Sequence, residues 1–459
     1  MKKKIFIVIS SRYYFKYILL KSFKQLEKNY QVHYLLNKKN LNNTSFNIKN
    51  KIFYKLNEKS SIRLMYFLNF LRFSNHKKCK TFKAVTDWYY PDYRGLKQIF
   101  IQDNIKKSFY SSYFKILLKK MIMSFFSIKY ISNFMTNFFY EKIHIEDNLD
   151  KIFQKHKPDL VIYPTHSYEP EVLKIKKLSD LYKFKTFYII DNWDNLTTKT
   201  YYKYKPDFIG VWGNQTKMHA IKIHDFKKES VFKIGNCRFD NYFRLKKENF
   251  RKFKQDYILF LSGNIRVDEK YYLELLNRIL RKNKKIFKNT KIIYRQHPQA
   301  KDLAKTKNFN HLENVKIDKT VFTDAQVPYF KNDFNLTKRN YVPLVLNAKF
   351  ITGCVTSIIV EGLIFNKSYL VIAFKKKIDD YFNAKMHYEN HIHYKGLEKV
   401  DNVNFSFNEK QYEKLVIQMF RKQKKNKNYL KTRRQLDYFY HKDKLPYCKK
   451  IYEIVQKIL

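Results

Sequence analysis

The stretch KFITGCVTSIIVEGLIFNKSYLVIAF, Lys349 to Phe374, reads as strand, tight polar turn, helix and second strand. The turn is Thr352-Gly353-Cys354-Val355-Thr356-Ser357. It would set backbone N–H groups and the hydroxyls of Thr356 and Ser357 at a helix N-terminus, where the dipole and the unsatisfied donors favour phosphate. Glu361 follows one helical turn after Ser357, within reach of a ribose hydroxyl. The same residues also have a purely structural reading, because Thr and Ser cap buried βαβ helices without binding any ligand.

Upstream, KIIYRQHPQA, Lys291 to Ala300, is an apolar strand ending at His297-Pro298. Open α/β sheets bind ligands at the carboxyl edge of their strands, and Pro298 stops the strand without wasting a ladder donor. An earlier strand, Tyr257 to Leu261, runs into Ser262, Asn264 and Arg266 ahead of a helix from Asp268.

An HP strand end followed by a Ser/Thr turn, Glu361 and the GLIFNKSYLVI strand resembles the C-terminal half of GT-B glycosyltransferases of surface polysaccharide synthesis. Within that group the pairing is similar to CDP-glycerol glycerophosphotransferases, capsule polysaccharide transferases and some bacterial sialyltransferases. The resemblance implies that His297, Thr356, Ser357 and Glu361 hold the donor nucleotide, with Ser262, Asn264 and Arg266 near its diphosphate. It also implies no cofactor and no catalytic metal, in keeping with the missing DxD-like pattern. The motifs span only Lys291 to Phe374. The Gly-rich phosphate loops usual in such enzymes are nearly missing, with 8 Gly in 459 residues, and Val355 precedes the Thr-Ser pair.

The N-terminal half alternates in the same way. Lys4 to Ser10 is a first buried strand with Ser11-Arg12 as its turn, and an apolar run this short with no cleavage site does not make a signal peptide. Further on, PDLVIYPTHSYEPEVLKIKKLSDLYKFKTFYIIDNWDNLTTK, Pro158 to Lys199, reads as strand, loop, helix, strand, loop. Apolar runs at both strands predict a parallel sheet covered on both faces. The strands end in Thr165-His166-Ser167 and in Asp191-Asn192-Trp193-Asp194-Asn195. Group transfer to a hydroxyl needs a carboxylate or imidazole to take the proton, and Asp194, Asp191 and His166 are the candidates. Arg12, Asn192, Trp193 and Lys199 are the acceptor-side candidates, Trp193 as a stacking platform and Lys199 as a point charge for phosphate. Asp and Asn in such a cluster also serve as plain turn and cap residues.

At 459 residues the chain exceeds a single core, and two domains of about 200 residues are expected. Four scattered cysteines exclude a zinc-binding spacing or a disulfide framework. The charge is extreme, 93 Lys+Arg against 40 Asp+Glu, but the lysines are spread along the whole chain. With no zinc-finger, RRM or helix-turn-helix signature, nucleic acid is not the expected partner. From about 60 to 145, aromatic and aliphatic residues crowd among lysines. Phe114, Leu117, Leu118, Met121, Phe125 and Ile128 recur at helical spacing, which fits either a core-facing helix or a basic amphipathic segment lying on an anionic membrane surface. No run is long enough to span a bilayer.

The expected architecture is therefore α/β and GT-B-like, with two Rossmann-like parallel-sheet domains facing a cleft and C-terminal helices crossing back. The acceptor-side domain would cover about 1–245, the donor-nucleotide domain 246–410, and basic helices 411–459. The expected activity moves a sugar or phosphoglycerol unit from a nucleotide-sugar or CDP-linked donor to a lipid-linked glycan or polymer acceptor. The expected location is the cytoplasmic membrane's inner face. Two alternatives compete: a nucleotide-sugar 2-epimerase of the same fold, and a non-enzymatic nucleic-acid-binding protein.

Overall fold

The computed structural model describes residues 2–11, 14–38, 48–56, 67–69, 73, 79–103, 108–245, 254–263, 267, 269–297, 309, 311–318, 334–376, 381–421, 429–442 and 444–459. The chain divides into two compact units. The first comprises Met1–Pro91, Tyr110–Asn241 and Asp437–Leu459, and the second Asp92–Phe109 and Tyr242–Leu436.

In the first unit, β1 (Lys4–Ile9), β2 (Gln31–Asn37), β3 (Lys51–Tyr54), β4 (Leu160–Thr165), β5 (Lys185–Ile190), β6 (Phe208–Val211) and β7 (Val231–Lys233) form one sheet among the described residues. Its order is β3-β2-β1-β4-β5-β6-β7, with every pair parallel. Runs such as IFIVI and LVIYPT are apolar at successive positions because helices cover both faces, so each side chain along the strand meets a core. The strand order reverses between β1 and β4. Polar residues just beyond those two strand ends therefore sit at the topological switch point, the place where open parallel sheets bind ligands.

The C-terminal segment completes this unit. The helix Tyr447–Ile458 buries Tyr447, Ile451, Val455 and Ile458, and its first N–H donates to Asp240 at 2.8 Å. A Cβ on Gly213 would lie 2.7 Å from the backbone of Phe439, so only glycine lets this crossing pack so closely. The helix Glu409–Arg421, in contrast, belongs to the second unit, so the returning segment starts at Asp437. Residues 92–109 also group with the second unit, where the Gln98 amide oxygen accepts from the backbone N–H groups of Tyr381 and Phe382.

The second unit repeats the plan with β8 (Tyr257–Leu261), β9 (Lys291–Arg295), β10 (Val315–Ile317), β11 (Ile351–Cys354), β12 (Tyr369–Ile372) and β13 (Val403–Ser406). The order is β10-β9-β8-β11-β12-β13, again all parallel. Its switch point lies between β8 and β11. Thr352, Gly353 and Cys354 belong to β11 itself, so the turn is shorter than the sequence suggests and begins at Val355. Gly353 explains the difference. Its φ is +154°, and a Cβ there would stand 2.3 Å from the Leu261 carbonyl oxygen, so glycine allows β11 to press against the end of β8.

Candidate functional site

The switch point of the first unit is filled by a charged cluster. His166, just past β4, lies between two carboxylates: its Nε2 is 3.2 Å from Asp191 Oδ2 and its Nδ1 is 3.5 Å from Glu169 Oε1. The Tyr14 hydroxyl, from the segment after β1, is 2.5 Å from Nδ1 and also donates to Glu169. Asp191, just past β5, receives Lys16 Nζ at 2.6 Å and 2.7 Å on its two oxygens and the Tyr17 hydroxyl at 3.0 Å. Parallel strands ending side by side make this convergence possible, since β1, β4 and β5 deliver one segment each to the same edge.

The electrostatics assign roles within the cluster. Burial works to raise the Asp191 carboxyl, but Lys16 and then His166 outweigh it and hold it down at about 2. Such a carboxylate is a weak base at neutral pH and a strong orienting partner. Glu169 behaves alike: burial raises it, while hydrogen bonds from His166, Thr165 and Tyr14 hold it below the usual range. His166 is partly open to solvent, with Asp191 and Glu169 fixing its ring. Glu171 lies fully buried behind it. Burial pushes this carboxyl up to about 7, although Tyr54 and Asn37 donate to it.

Other sequence candidates fall elsewhere. Asp194 turns away to accept from the Thr198 hydroxyl at 2.9 Å, as a turn residue does. Trp193 has no exposed surface and packs its ring 5.5 Å from Phe439, so it is a core residue and leaves no face for an acceptor sugar. Its polar neighbours in DNWDN make it look solvent-facing in sequence. Asn192 is half-buried. Lys199 sets its ammonium 5.8 Å over the Tyr168 ring. Together they wall a cavity of about 410 Å³ with Phe73, Val85, Tyr89 and Tyr90. Tyr168 ties that cavity to the cluster, its ring centroid lying 6.0 Å from that of His166. Arg12, Asn264 and Arg266 lie outside the described residues.

At the switch point of the second unit, Ser262 follows β8, and Thr356 and Ser357 follow β11. The Ser262 hydroxyl and the Gly263 N–H both donate to Glu269 Oε1 at 2.9 Å, so Ser262 braces its loop instead of facing a diphosphate. Thr356 Oγ1 accepts from Ile358 N–H at 3.2 Å, and both Thr356 and Ser357 keep partial exposure. Glu361 is buried and accepts from the Tyr242 hydroxyl at 2.9 Å. That inward contact opposes the expected reach to a ribose. His297 follows β9, and burial lowers it to about 4, so it is neutral at physiological pH. A phosphate there would meet an imidazole N–H and not a cation.

Tyr14, Lys16 and Glu169 escape the sequence reading. One buried lysine does not stand out among so many solvated ones, and Tyr14 sits in an unremarkable aromatic run. The SYEPEV segment offered the better signal, two carboxylates flanking a proline just past a buried strand.

Two Rossmann-like parallel-sheet units, each with a polar switch point, define the class: the protein has the GT-B fold. No family model matches the chain, and no curated protein matches it. Among solved structures, it is similar to a protein assigned as a UDP-N-acetylglucosamine 2-epimerase from Listeria monocytogenes, with 8% identity and a TM-score of 0.52 over 100% of this chain and 97% of that one. The UDP-GlcNAc 2-epimerase of Methanocaldococcus jannaschii gives 12% identity and a TM-score of 0.50 over 99% of each chain. At such identities the likeness establishes the fold and no narrower family.

Proposed function

We propose that the protein is an enzyme acting on a nucleotide-activated sugar, with the nucleotide held at the β8–β11 switch point of the second unit and proton transfer carried by His166. The observation that carries this reading is the placement of His166 at the β1–β4 switch point between the buried Asp191 and half-buried Glu169 carboxylates. A GT-B enzyme needs an aligned proton-handling group, and a histidine oriented by a carboxylate is a common form of one. Lys16 balances the charge of Asp191 and keeps it ionised, so the imidazole has a fixed direction in which to take up or release a proton.

Of the two chemistries open to this fold, epimerisation at C2 of a nucleotide sugar is the one the structural neighbours favour, since both carry that name. It needs a single substrate and a proton removed from and returned to carbon. Transfer of a sugar or phosphoglycerol unit is favoured by a separate observation, the aromatic cavity beside His166. A space of about 410 Å³ lined by Phe73, Tyr89, Tyr90 and Tyr168, with Lys199 at its wall, suits a second substrate with an apolar part and a phosphate.

The deciding experiment follows UDP-N-acetylglucosamine by NMR with the purified protein. Appearance of the C2 epimer without any acceptor, lost in His166→Ala, establishes the epimerase. Nucleotide release only when a lipid-linked glycan is added, lost in the same variant, establishes the transferase. No binding or turnover across a panel of UDP-, CDP-, GDP- and CMP-linked sugars overturns the reading.

A further inference from the structure

The helices Phe109–Phe126 and Lys129–Glu141 present their faces the wrong way round for water. The first buries none of its residues, and the stripe that fitted a core-facing helix in sequence points outward instead. Phe114 is 66% exposed, Met121 62% and Phe125 58%. The second helix buries Ser132, Thr136 and Tyr140, which recur every fourth residue, and turns Tyr130 and Phe134 to the outside. Soluble helices do the reverse, and so many large apolar side chains exposed on neighbouring turns mark an interaction face.

The charge pattern identifies what covers it. From 108 to 142 the chain carries Lys115, Lys119, Lys120, Lys129 and Lys142 against Glu141 alone. A protein partner of ordinary composition would not need so one-sided a rim, whereas anionic lipid headgroups attract lysines beside an apolar face. Among the described residues no helix is long and apolar enough to cross a membrane, and lysines interrupt the first helix at its middle, so the pair would lie in the interface. We propose that residues 109–141 form a docking segment that lies on an anionic bilayer with Phe114, Leu118, Met121, Phe125, Tyr130 and Phe134 inserted among the headgroups.

This segment touches the cavity described above. Lys119 of the first helix sets its ammonium 5.8 Å over the ring of Tyr90, a cavity residue. Docking would thus hold the aromatic cavity at the lipid surface, whichever reaction His166 serves.

The test is co-sedimentation of the full chain with phosphatidylcholine vesicles, with and without phosphatidylglycerol. Binding to the phosphatidylglycerol vesicles, weakened by salt, is expected. The variant Phe114→Ser/Met121→Ser/Phe125→Ser should bind roughly tenfold more weakly or worse, with an unchanged thermal midpoint because these side chains are exposed. Absence of binding by the natural chain overturns the proposal, as does equal binding by the variant. A dimer in sedimentation velocity that the variant converts to monomer, with no vesicle binding, also overturns it and assigns the face to a second copy. Nucleotide-sugar turnover is measured separately, so failure of docking and failure of the proposed chemistry are told apart.

Discussion

The two units share one topology and use their switch points differently. In the first, β1, β4 and β5 bring an imidazole, two carboxylates, an ammonium and two phenols into direct contact. In the second, the corresponding edge shows hydroxyls, backbone N–H groups and a histidine that burial keeps neutral. The same backbone scaffold thus holds one edge packed with paired charges and another that keeps partly exposed hydroxyls. What separates them is the side chain at each strand end, not the fold.

Several substitutions can break or sharpen that contrast. The largest effect is expected for His166→Ala, which on the proposed function should lower turnover by roughly 10²–10⁴-fold while nucleotide affinity, which the proposal assigns to the other unit, stays within a few-fold. Loss of nucleotide binding in equilibrium titration would erase the division of labour. Next is Lys16→Met, which leaves the Asp191 carboxylate buried without its counter-ion and should cost about 3–5 kcal/mol in urea unfolding. The pH dependence has a definite sign. Asp191 is depressed to about 2, so its contribution is present above the ordinary carboxylate pKa near 4 and disappears as pH falls toward 2. Lys16→Met should therefore unfold at a higher pH in acid titrations than the natural chain.

Gly353→Ala tests the second unit's edge. The added Cβ meets the Leu261 carbonyl oxygen in a backbone conformation that L residues rarely adopt, and a loss of about 1–3 kcal/mol is expected in thermal unfolding. A smaller effect concerns His297. Because burial lowers it to about 4, a proton binds the unfolded chain before the folded one. His297 should contribute nothing to the pH dependence above pH 7 and a decline in stability as pH falls from about 6.5 toward 4, so the decline is shallower in His297→Gln, the rest coming from groups such as His219 and His387, which burial also lowers. The smallest is Ser357→Ala, for which a few-fold rise in nucleotide Kd and no change in melting temperature are expected, because its partly exposed hydroxyl makes no helix-capping hydrogen bond.

Much of this architecture was legible in the residues. Runs such as Ile5–Ile9, Leu160–Pro164 and Tyr369–Ile372 are apolar at every position, as a sheet covered on both faces requires. Their alternation with helices made two α/β halves legible, while the GT-B expectation came from the resemblance carried by His297 and the Thr356-Ser357 turn. His166 and Asp191 were legible because each closes such a strand. The rest depended on contacts between distant segments. Nothing local marks Lys16 as the partner of Asp191, 175 residues away. Trp193 reads as a loop residue until Phe439 arrives to cover it, and Glu361 reads as a ribose ligand until Tyr242 occupies it. The stripe from Phe114 to Ile128 fitted a core helix and a surface helix equally well, since periodicity fixes that a helix has an apolar side but not which way the side faces.

The return of residues 437–459 to the first unit also has a consequence for biogenesis. A chain emerging from the ribosome can pair its opening strands early, yet the Gly213 loop and the Asp240 carboxylate find their partners only once Phe439 and Tyr447 have been made. At ordinary elongation rates that is a delay on the order of tens of seconds. The unit begun first thus waits for residues made about 200 positions later, and removal of residues 437–459 would damage the unit that holds residues 1–91.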